Sequence, residues 1–346
     1  MTVPVFYGLY CGRISMADPF ISVVVSAYSM ERYSDLLSLI DSLKSQSYTN
    51  FEVILVIEKS GQLFSCLNRC LAQHPHNRNF KLFFNEGIPG LASARNLGVA
   101  KSQGEIMAFI DDDAAASPEW LACIAQCFGG DKKIIGLTGP SLPWWEHPGL
   151  SWFPSEFNWV ISSMPCLPRS RGYIRNAWGT NMAFRREAFE GGQGFNPELG
   201  AKGGGCHGKS ELVGEDTEFC LRICRLSGLH ILYAPEVKVM HRVYKYRLKP
   251  GFIAKRAYWE GYTKAVFKYR LSKETNLNGV LSEERGLLKR IILHLLPLSL
   301  LNLPLKPRQS ALTILTTLNI LGSAGWGYLR GAASARFIAD KEAVNA

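Results

Sequence analysis

Paired cysteines are what this chain most clearly lacks. None of its nine cysteines belongs to a CxxC pair. The nearest neighbours, Cys66/Cys70, Cys123/Cys127 and Cys220/Cys224, are four apart inside helix-like patterns. A structural zinc site is therefore not expected. An odd count without a disulfide framework fits a reducing compartment. Internal repeats and low-complexity blocks are missing as well, and the first twenty residues carry neither the basic start nor the long apolar core of a secretion signal. Acidic residues are short: 29 Asp and Glu against 39 Lys and Arg give a net charge of +10. That excess suggests an anionic partner, whether nucleotide, phosphorylated lipid, membrane surface or nucleic acid. Apolar residues are not short. At 47% of 346 residues they suffice for one large domain with an appendage, or for two domains.

The first third of the chain alternates strand and helix. After a poorly patterned leader, Ile21-Ser22-Val23-Val24-Val25 reads as a β-branched strand that ends at Ser26-Ala27-Tyr28-Ser29. Leu36, Leu37, Leu39, Ile40 and Leu43 follow at helical spacing. Phe51 to Ile57 is a second strand, ending at Glu58-Lys59-Ser60. A helix around 62–72 leads to a strand at 81–84, then to the loop Asn85-Glu86-Gly87-Ile88-Pro89-Gly90 and a helix from Leu91 to Lys101. The rhythm predicts an α/β fold, a mostly parallel sheet flanked by helices.

Ile106-Met107-Ala108-Phe109-Ile110 then drives into Asp111-Asp112-Asp113. An apolar run after Gly104 reads as a buried strand, and such strands present function at their carboxyl ends. Three carboxylates packed there repel one another and lose solvation. A hard divalent cation, Mg²⁺ or Mn²⁺, compensates, and a cation held by one or two carboxylates is open to phosphate oxygens. An acidic turn before a helix starting at Ser117-Pro118-Glu119 explains the triplet equally well. Arg95 lies near a helix N-terminus that favours an anion, where its fork could add a phosphate contact; a surface helix with an ordinary cap is the plainer alternative.

Beyond 120 the rhythm weakens. Residues 136–170 collect Trp144, Trp145, Trp152, Phe153, Phe157 and Trp159, either a satellite core or a wall that stacks on a sugar or lies against lipid. Asn176 to Asn181 leads into a strand at 182–184. The glycines of 190–208 suggest a mobile lid. Glu215 and Asp216 open a helix, as dipole complement or with one of them as a general base. Tyr233 to His241 reads as a strand ending in a histidine that could be a third metal ligand.

Taken in order, Ser22 to Tyr28, Leu91-Ala92-Ser93-Ala94-Arg95-Asn96-Leu97-Gly98, Gly104 to Asp113, Gly179 to Arg186 and Gly214-Glu215-Asp216 resemble the family-2 glycosyltransferases of the GT-A fold. The resemblance covers roughly 20–245. It implies that Asp111–Asp113 contain a DxD-type motif, with Asp113, Asp111 and His241 on the metal. Ser26, Tyr28, Glu58, Arg95, Asp111 and Asp112 would meet the nucleotide sugar. Asp216 would be the catalytic base of an inverting transfer. Trp178, Gly179, Asn181 and Glu215 would lie on the acceptor side. Many relatives carry Asp-Asp or Asp-Asn followed by Gly-Ser where this chain has Glu58-Lys59-Ser60, so Glu58 takes that place. Ser29 to Tyr33, Phe153 to Trp159 and Tyr246 to Tyr262 are similar to archaeal enzymes that extend dolichyl-phosphate-linked sugars, of the glucosyl-dolichyl-phosphate glucuronosyltransferase type.

Residues 246–286 read as a basic amphipathic linker, with Lys255, Arg256, Lys264 and Lys268 among Phe252, Tyr258 and Trp259. Residues 287–330 read as hydrophobic, membrane-associated helices before a tail at 331–346. Ala311 to Leu329 has no charged residue over nineteen positions, about the minimum for a span. A transmembrane hairpin, a re-entrant or interfacial pair, and a buried helical cap all fit. The expectation is a metal-dependent enzyme at the cytoplasmic face of the cell membrane. It would move sugar from a nucleotide sugar, a UDP-sugar foremost, to a polyprenyl- or dolichyl-linked acceptor. A soluble or surface saccharide is the alternative acceptor. A nucleic-acid-binding protein is disfavoured by the acids at the best strand end, and an inactive scaffold by the intact Asp111, Asp113 and Asp216.

Overall fold

The computed structural model describes residues 18–73, 78–150, 152–164, 170–200, 213–272 and 282–344. Most of the expected leader, the 201–208 part of the expected lid, residues 273–281 of the linker and the last two of the tail lie outside them.

The described residues form two compact units. The first comprises the described residues within 18–144, 162–200 and 215–242. Its strands and helices begin as the rhythm predicts: β1 Ile21–Ala27, α1 Tyr33–Lys44, β2 Phe51–Glu58, α2 Gly61–Ala72, β3 Phe80–Asn85, α3 Leu91–Lys101 and β4 Ile106–Ile110. β5 Ala114–Ala116, α4 Trp120–Gly130, β6 Ile134–Thr138, β7 Ser141–Trp145, β8 Gly172–Ile174, β9 Asn181–Arg185, α5 Glu215–Ser227, β10 His230–Tyr233 and β11 Val239–Val243 follow. An eight-stranded sheet runs β3-β2-β1-β4-β9-β6-β10-β8. β1, β2, β3 and β4 are parallel to one another, and β9 enters antiparallel between β4 and β6. β1 is central and buried on both faces, which is why it reads as an unbroken β-branched run. Its register pairs Ile21 with both Phe51 and Ile106, so β1, β2 and β4 bring their carboxyl ends to one edge.

The expected single strand from Tyr233 to His241 is two. Pro235 has no N–H for a ladder, and a turn closes as Val237 N–H donates to the Ala234 carbonyl at 3.1 Å. The chain leaves the large sheet at Tyr233 and joins a three-stranded sheet, β5-β11-β7, at Val239. That change of sheet decides where His241 goes.

The second unit comprises the described residues within 145–161, 213–214 and 243–344. It holds α6 Pro250–Ser272, α7 Ser282–Arg290, a π-helical turn Ile291–Leu295, α8 Leu296–Leu301 and α9 Pro307–Val344. Pro297, with no N–H to give, falls just after the π turn. Pro307 starts α9 where a missing donor costs nothing. α6 and α9 meet backbone to backbone: a Cβ on Gly261 would lie 2.0 Å from the Ala324 carbonyl oxygen, and one on Gly327 would lie 2.0 Å from that of Tyr258. Phe153 and Phe157 are buried here with Ile253 and Ile320, and Trp145, Trp152 and Trp159 pack against them. Phe153 and Phe157 are therefore core, and the three tryptophans lie half-buried over it.

No helix among the described residues is long and apolar enough to cross a membrane. Thr313, Thr316, Thr317, Asn319 and Gly322 dilute the uncharged stretch. Leucines are nonetheless left outside: Leu293, Leu298, Leu300, Leu301 and Leu305 are 56–80% exposed.

Candidate active site

β4 delivers the acidic triplet to the sheet's carboxyl edge, and β5 continues it into the small sheet. β11 pairs antiparallel with β5, with His241 opposite Ala114. This register sets the imidazole beside the residue before Ala114. His241 Nε2 lies 3.0 Å from Asp113 Oδ1 and 4.0 Å from Asp111 Oδ2. The Arg242 N–H donates to the Asp113 carbonyl at 2.9 Å, which fixes the turn. Ligand atoms of Asp111, Asp113 and His241 all fall within 4.8 Å of one another. Asp113 and His241 are buried while Asp111 is partly open, at 4%, 1% and 26% side-chain exposure. The buried His241 Nδ1 meets no hydrogen-bond partner. Two carboxylates and one imidazole converging with one side toward solvent fit a divalent cation of the Mn²⁺ or Mg²⁺ kind. Asp112 does not join them. It is buried, and burial first, with the neighbouring Asp113 charge second, raises its carboxyl well above the usual range. A buried acid that resists ionising is poorly suited to the donor contact expected of it; Asp111 is the triplet member partly open to solvent.

Arg95 is not the free phosphate fork that its place near the α3 N-terminus suggested. It is 3% exposed. Its Nη1 donates to Glu215 Oε1 at 2.9 Å, and its Nη2 to the Gly179 carbonyl at 3.0 Å and Asp111 Oδ1 at 3.4 Å. A Cβ on Gly179 would lie 2.9 Å from Nη2, so a side chain there would force the fork aside. Gly179 N–H in turn donates to Asp216 Oδ2 at 2.9 Å. Arg95 thus ties the metal-side carboxylate to the start of α5. Asp216 stands beyond it, half-buried, its Oδ1 accepting from the Thr217 N–H at 2.6 Å. Burial first, and Glu215 second, push its carboxyl up to about 6, against the opposing pull of Arg95 and the two backbone donors. A carboxylate poised near neutrality is suited to general-base work.

Two expected acceptor residues are internal clamps. Asn181 is fully buried. Its Nδ2 donates to Val237 and Pro140 carbonyls at 2.7 and 3.3 Å, and its Oδ1 accepts from Trp120 Nε1 at 2.9 Å. Glu215 is buried and bound to Arg95. Trp178 is half-buried, edge-on to Tyr233 at 5.7 Å. Ser26 and Tyr28 sit half-buried at the end of β1. Glu58, at the end of β2, accepts with one oxygen from Gly90 N–H at 2.8 Å and Asn85 Nδ2 at 3.1 Å, clasping the loop before α3. Sequence reasoning missed Arg32, which ion-pairs with Asp113 Oδ2, and the pair Arg242–Asp35 at 2.7 Å, with Arg242 also 3.9 Å over the Trp144 ring. The one signal for Arg32 was a cation just past the carboxyl end of β1.

Residues 22–192 match the family described as Glycosyl transferase family 2. The chain carries a family 2 glycosyltransferase domain. The chain is 26% identical over 316 residues to the glucosyl-dolichyl phosphate glucuronosyltransferase of Haloferax volcanii, covering 90% of this chain and 96% of that one. It is 29% identical over 185 residues to the succinoglycan biosynthesis protein ExoM of Rhizobium meliloti, covering 50% and 51%. In fold it is similar to the mannosyltransferase PcManGT from Pyrobaculum calidifontis in complex with GDP-Man and Mn²⁺. That likeness has a TM-score of 0.53 and 20% identity and covers 88% of this chain and 87% of the other. The glycosyltransferase match stops at 192, before Asp216 and His241. Those two are joined to the domain by the β11 register and by the Arg95 and Gly179 contacts.

Proposed function

We propose that this glycosyltransferase domain performs a metal-dependent, inverting transfer from a nucleotide sugar to a lipid-linked acceptor. The observation that carries the reading is the convergence of Asp111, Asp113 and His241, linked through Arg95 and Gly179 to Asp216. A bound Mn²⁺ or Mg²⁺ would neutralise charge developing on the leaving diphosphate. Asp216 accepts the proton of the acceptor hydroxyl as its oxygen forms the new bond to the anomeric carbon. The bond from that carbon to the diphosphate breaks on the opposite face, and the electron pair leaves with the nucleoside diphosphate. Where the acceptor is already an ionised lipid phosphate, no proton need be taken and Asp216 matters less. Ser26, Tyr28 and Glu58 border the donor half, and Trp178 the acceptor half. UDP-sugars stand first among donors.

A dolichyl- or polyprenyl-linked acceptor is supported by the similarity along 90% of the chain to an enzyme named for a dolichyl phosphate substrate. Exposed leucines of the second unit give it a purpose. They lie between exposed cations, Lys289 and Arg290 before, Lys306 and Arg308 after, and no Asp or Glu occurs from 286 to 339. Leucines ringed by cations suit the cytoplasmic face of an anionic bilayer, entered without being crossed. Transfer to a saccharide acceptor is the second reading, favoured by the similarity to ExoM. The test is transfer from labelled nucleotide sugars to a membrane lipid extract, beside co-sedimentation with phosphatidylglycerol vesicles. Metal-dependent label in the lipid fraction is expected. Label that reaches only a soluble saccharide favours the second reading, and no turnover with any donor contradicts both.

A further inference from the structure

We propose that Arg32 is an exchangeable counter-ion built into the site: it competes with the divalent cation for Asp113 and, once displaced, offers its guanidinium to the diphosphate of the donor. The inference rests on the metal-dependent reading above.

Arg32 ends a short 3-10 turn, Met30–Arg32, directly after β1. Ser29 starts that turn, its hydroxyl accepting from the Glu31 N–H at 3.2 Å. The turn fixes Arg32 at the same edge of the sheet as the acidic triplet. The Arg32 side chain is 13% exposed and that of Asp113 4%, so the pair is shielded from bulk water. Asp113 has two oxygens and both face cationic or donor groups: Oδ1 meets His241, Oδ2 meets Arg32. A cation that coordinates Oδ2 competes with the guanidinium for that oxygen, because two positive charges drawn to one carboxylate oxygen repel each other in a shielded site.

The other two arginines at the site do different work. Arg95 is held by Glu215 and the Gly179 carbonyl, and Arg242 by Asp35 and the Trp144 ring. Arg95 also reaches a member of the cluster, Asp111 Oδ1, but at a longer 3.4 Å. Arg32 pairs by its side chain with the buried Asp113 carboxylate. A displaced, half-desolvated guanidinium is costly without a new anion. A diphosphate matches its planar fork and would arrive with the metal. Metal and donor binding are therefore coupled through one side chain.

The experiment measures Mn²⁺ binding to the full chain by electron paramagnetic resonance of the free ion, with and without UDP or GDP. Wild type is compared with Arg32→Ala and Arg32→Lys. Removing the competitor is expected to tighten binding of Mn²⁺ alone by about tenfold in Arg32→Ala, and to weaken nucleoside diphosphate binding at saturating Mn²⁺ by a similar factor, the scale of one charge-assisted contact. Arg32→Lys keeps the charge and loses the fork, so it falls between the two and serves should the alanine variant fail to fold. A purely structural arginine predicts the opposite sign, with looser Mn²⁺ on removal. Unchanged or weaker Mn²⁺ affinity in the folded variants overturns the inference while leaving the metal reading intact. Wild type that binds no Mn²⁺ with either nucleotide overturns both.

Discussion

The two units treat polar and apolar groups in opposite ways. In the glycosyltransferase unit the large exposed apolar residues are Phe84, Ile88, Tyr173 and Leu226, while Asn181, Glu215, Arg95 and Asp113 are buried and bonded. In the second unit thirteen large apolar residues, from Tyr246 to Leu329, are exposed among the described residues. The first therefore uses interior polar bonds to hold a reactive geometry, and the second leaves apolar side chains at its surface. A buried polar group carries weight because its partners lose their bonds with it. An exposed leucine carries almost none for the fold.

Substitutions that follow this contrast differ in what they disturb. Asp216→Asn removes the proton acceptor and should cost on the order of 10²–10⁴ in turnover with a hydroxyl acceptor. It should also remove a pH limb. Wild-type turnover is expected to climb through pH about 6 as Asp216 ionises, and then level. Its folded value is raised above that of an unfolded aspartate, ~3.9, so its stabilising contribution is complete below that lower value and is lost as pH rises through about 6. Asp216→Asn should flatten the Tm profile in that window. An unchanged profile would detach Asp216 from both effects.

Asn181→Ala should cost about 2 kcal/mol in denaturant unfolding by stranding the Val237 carbonyl and the Trp120 indole. An acceptor contact would instead raise KM and leave the unfolding midpoint alone. Gly261→Val forces α6 and α9 apart and should cost about 1–3 kcal/mol, the overpacking range. Smallest of all, Leu301→Gln with Leu305→Gln should shift stability by less than about 0.5 kcal/mol and still reduce recovery on anionic vesicles. A marked loss of stability would mean that those leucines are core.

Much of the fold was legible because β1 to β4 and α1 to α3 repeat clean periods that packing leaves intact. Pro235 was the readable sign that 233–241 is not one strand, yet the sheet that Val239 joins is a nonlocal pairing without a sequence period. The acidic triplet and His241 were legible as chemistry. Their registers were not, and only the register of β11 on β5 turns a lone histidine into a neighbour of Asp113. Asn181 and Glu215 looked like contacts for a ligand because residue type does not reveal burial. Arg95 looked like a phosphate fork because its partners lie 120 residues away in Glu215 and 84 away in Gly179. The aromatics of 145–159 were undecided for the same reason: Ile253 and Ile320, which pack with them, come far later in the chain.

On the proposed reading, Asp111, Asp113 and His241 hold the cation that makes sugar transfer possible. The direct measurement is release of nucleoside diphosphate from a panel of nucleotide sugars, with Mn²⁺ or Mg²⁺ titrated over wild type and Asp113→Ala in the presence of lipid extract. One donor should turn over with saturable metal dependence, and Asp113→Ala should lose about 10³-fold or more, the scale of a missing electrostatic stabiliser. Turnover in Asp113→Ala that matches wild type, or wild-type turnover untouched by chelator, would contradict the claim.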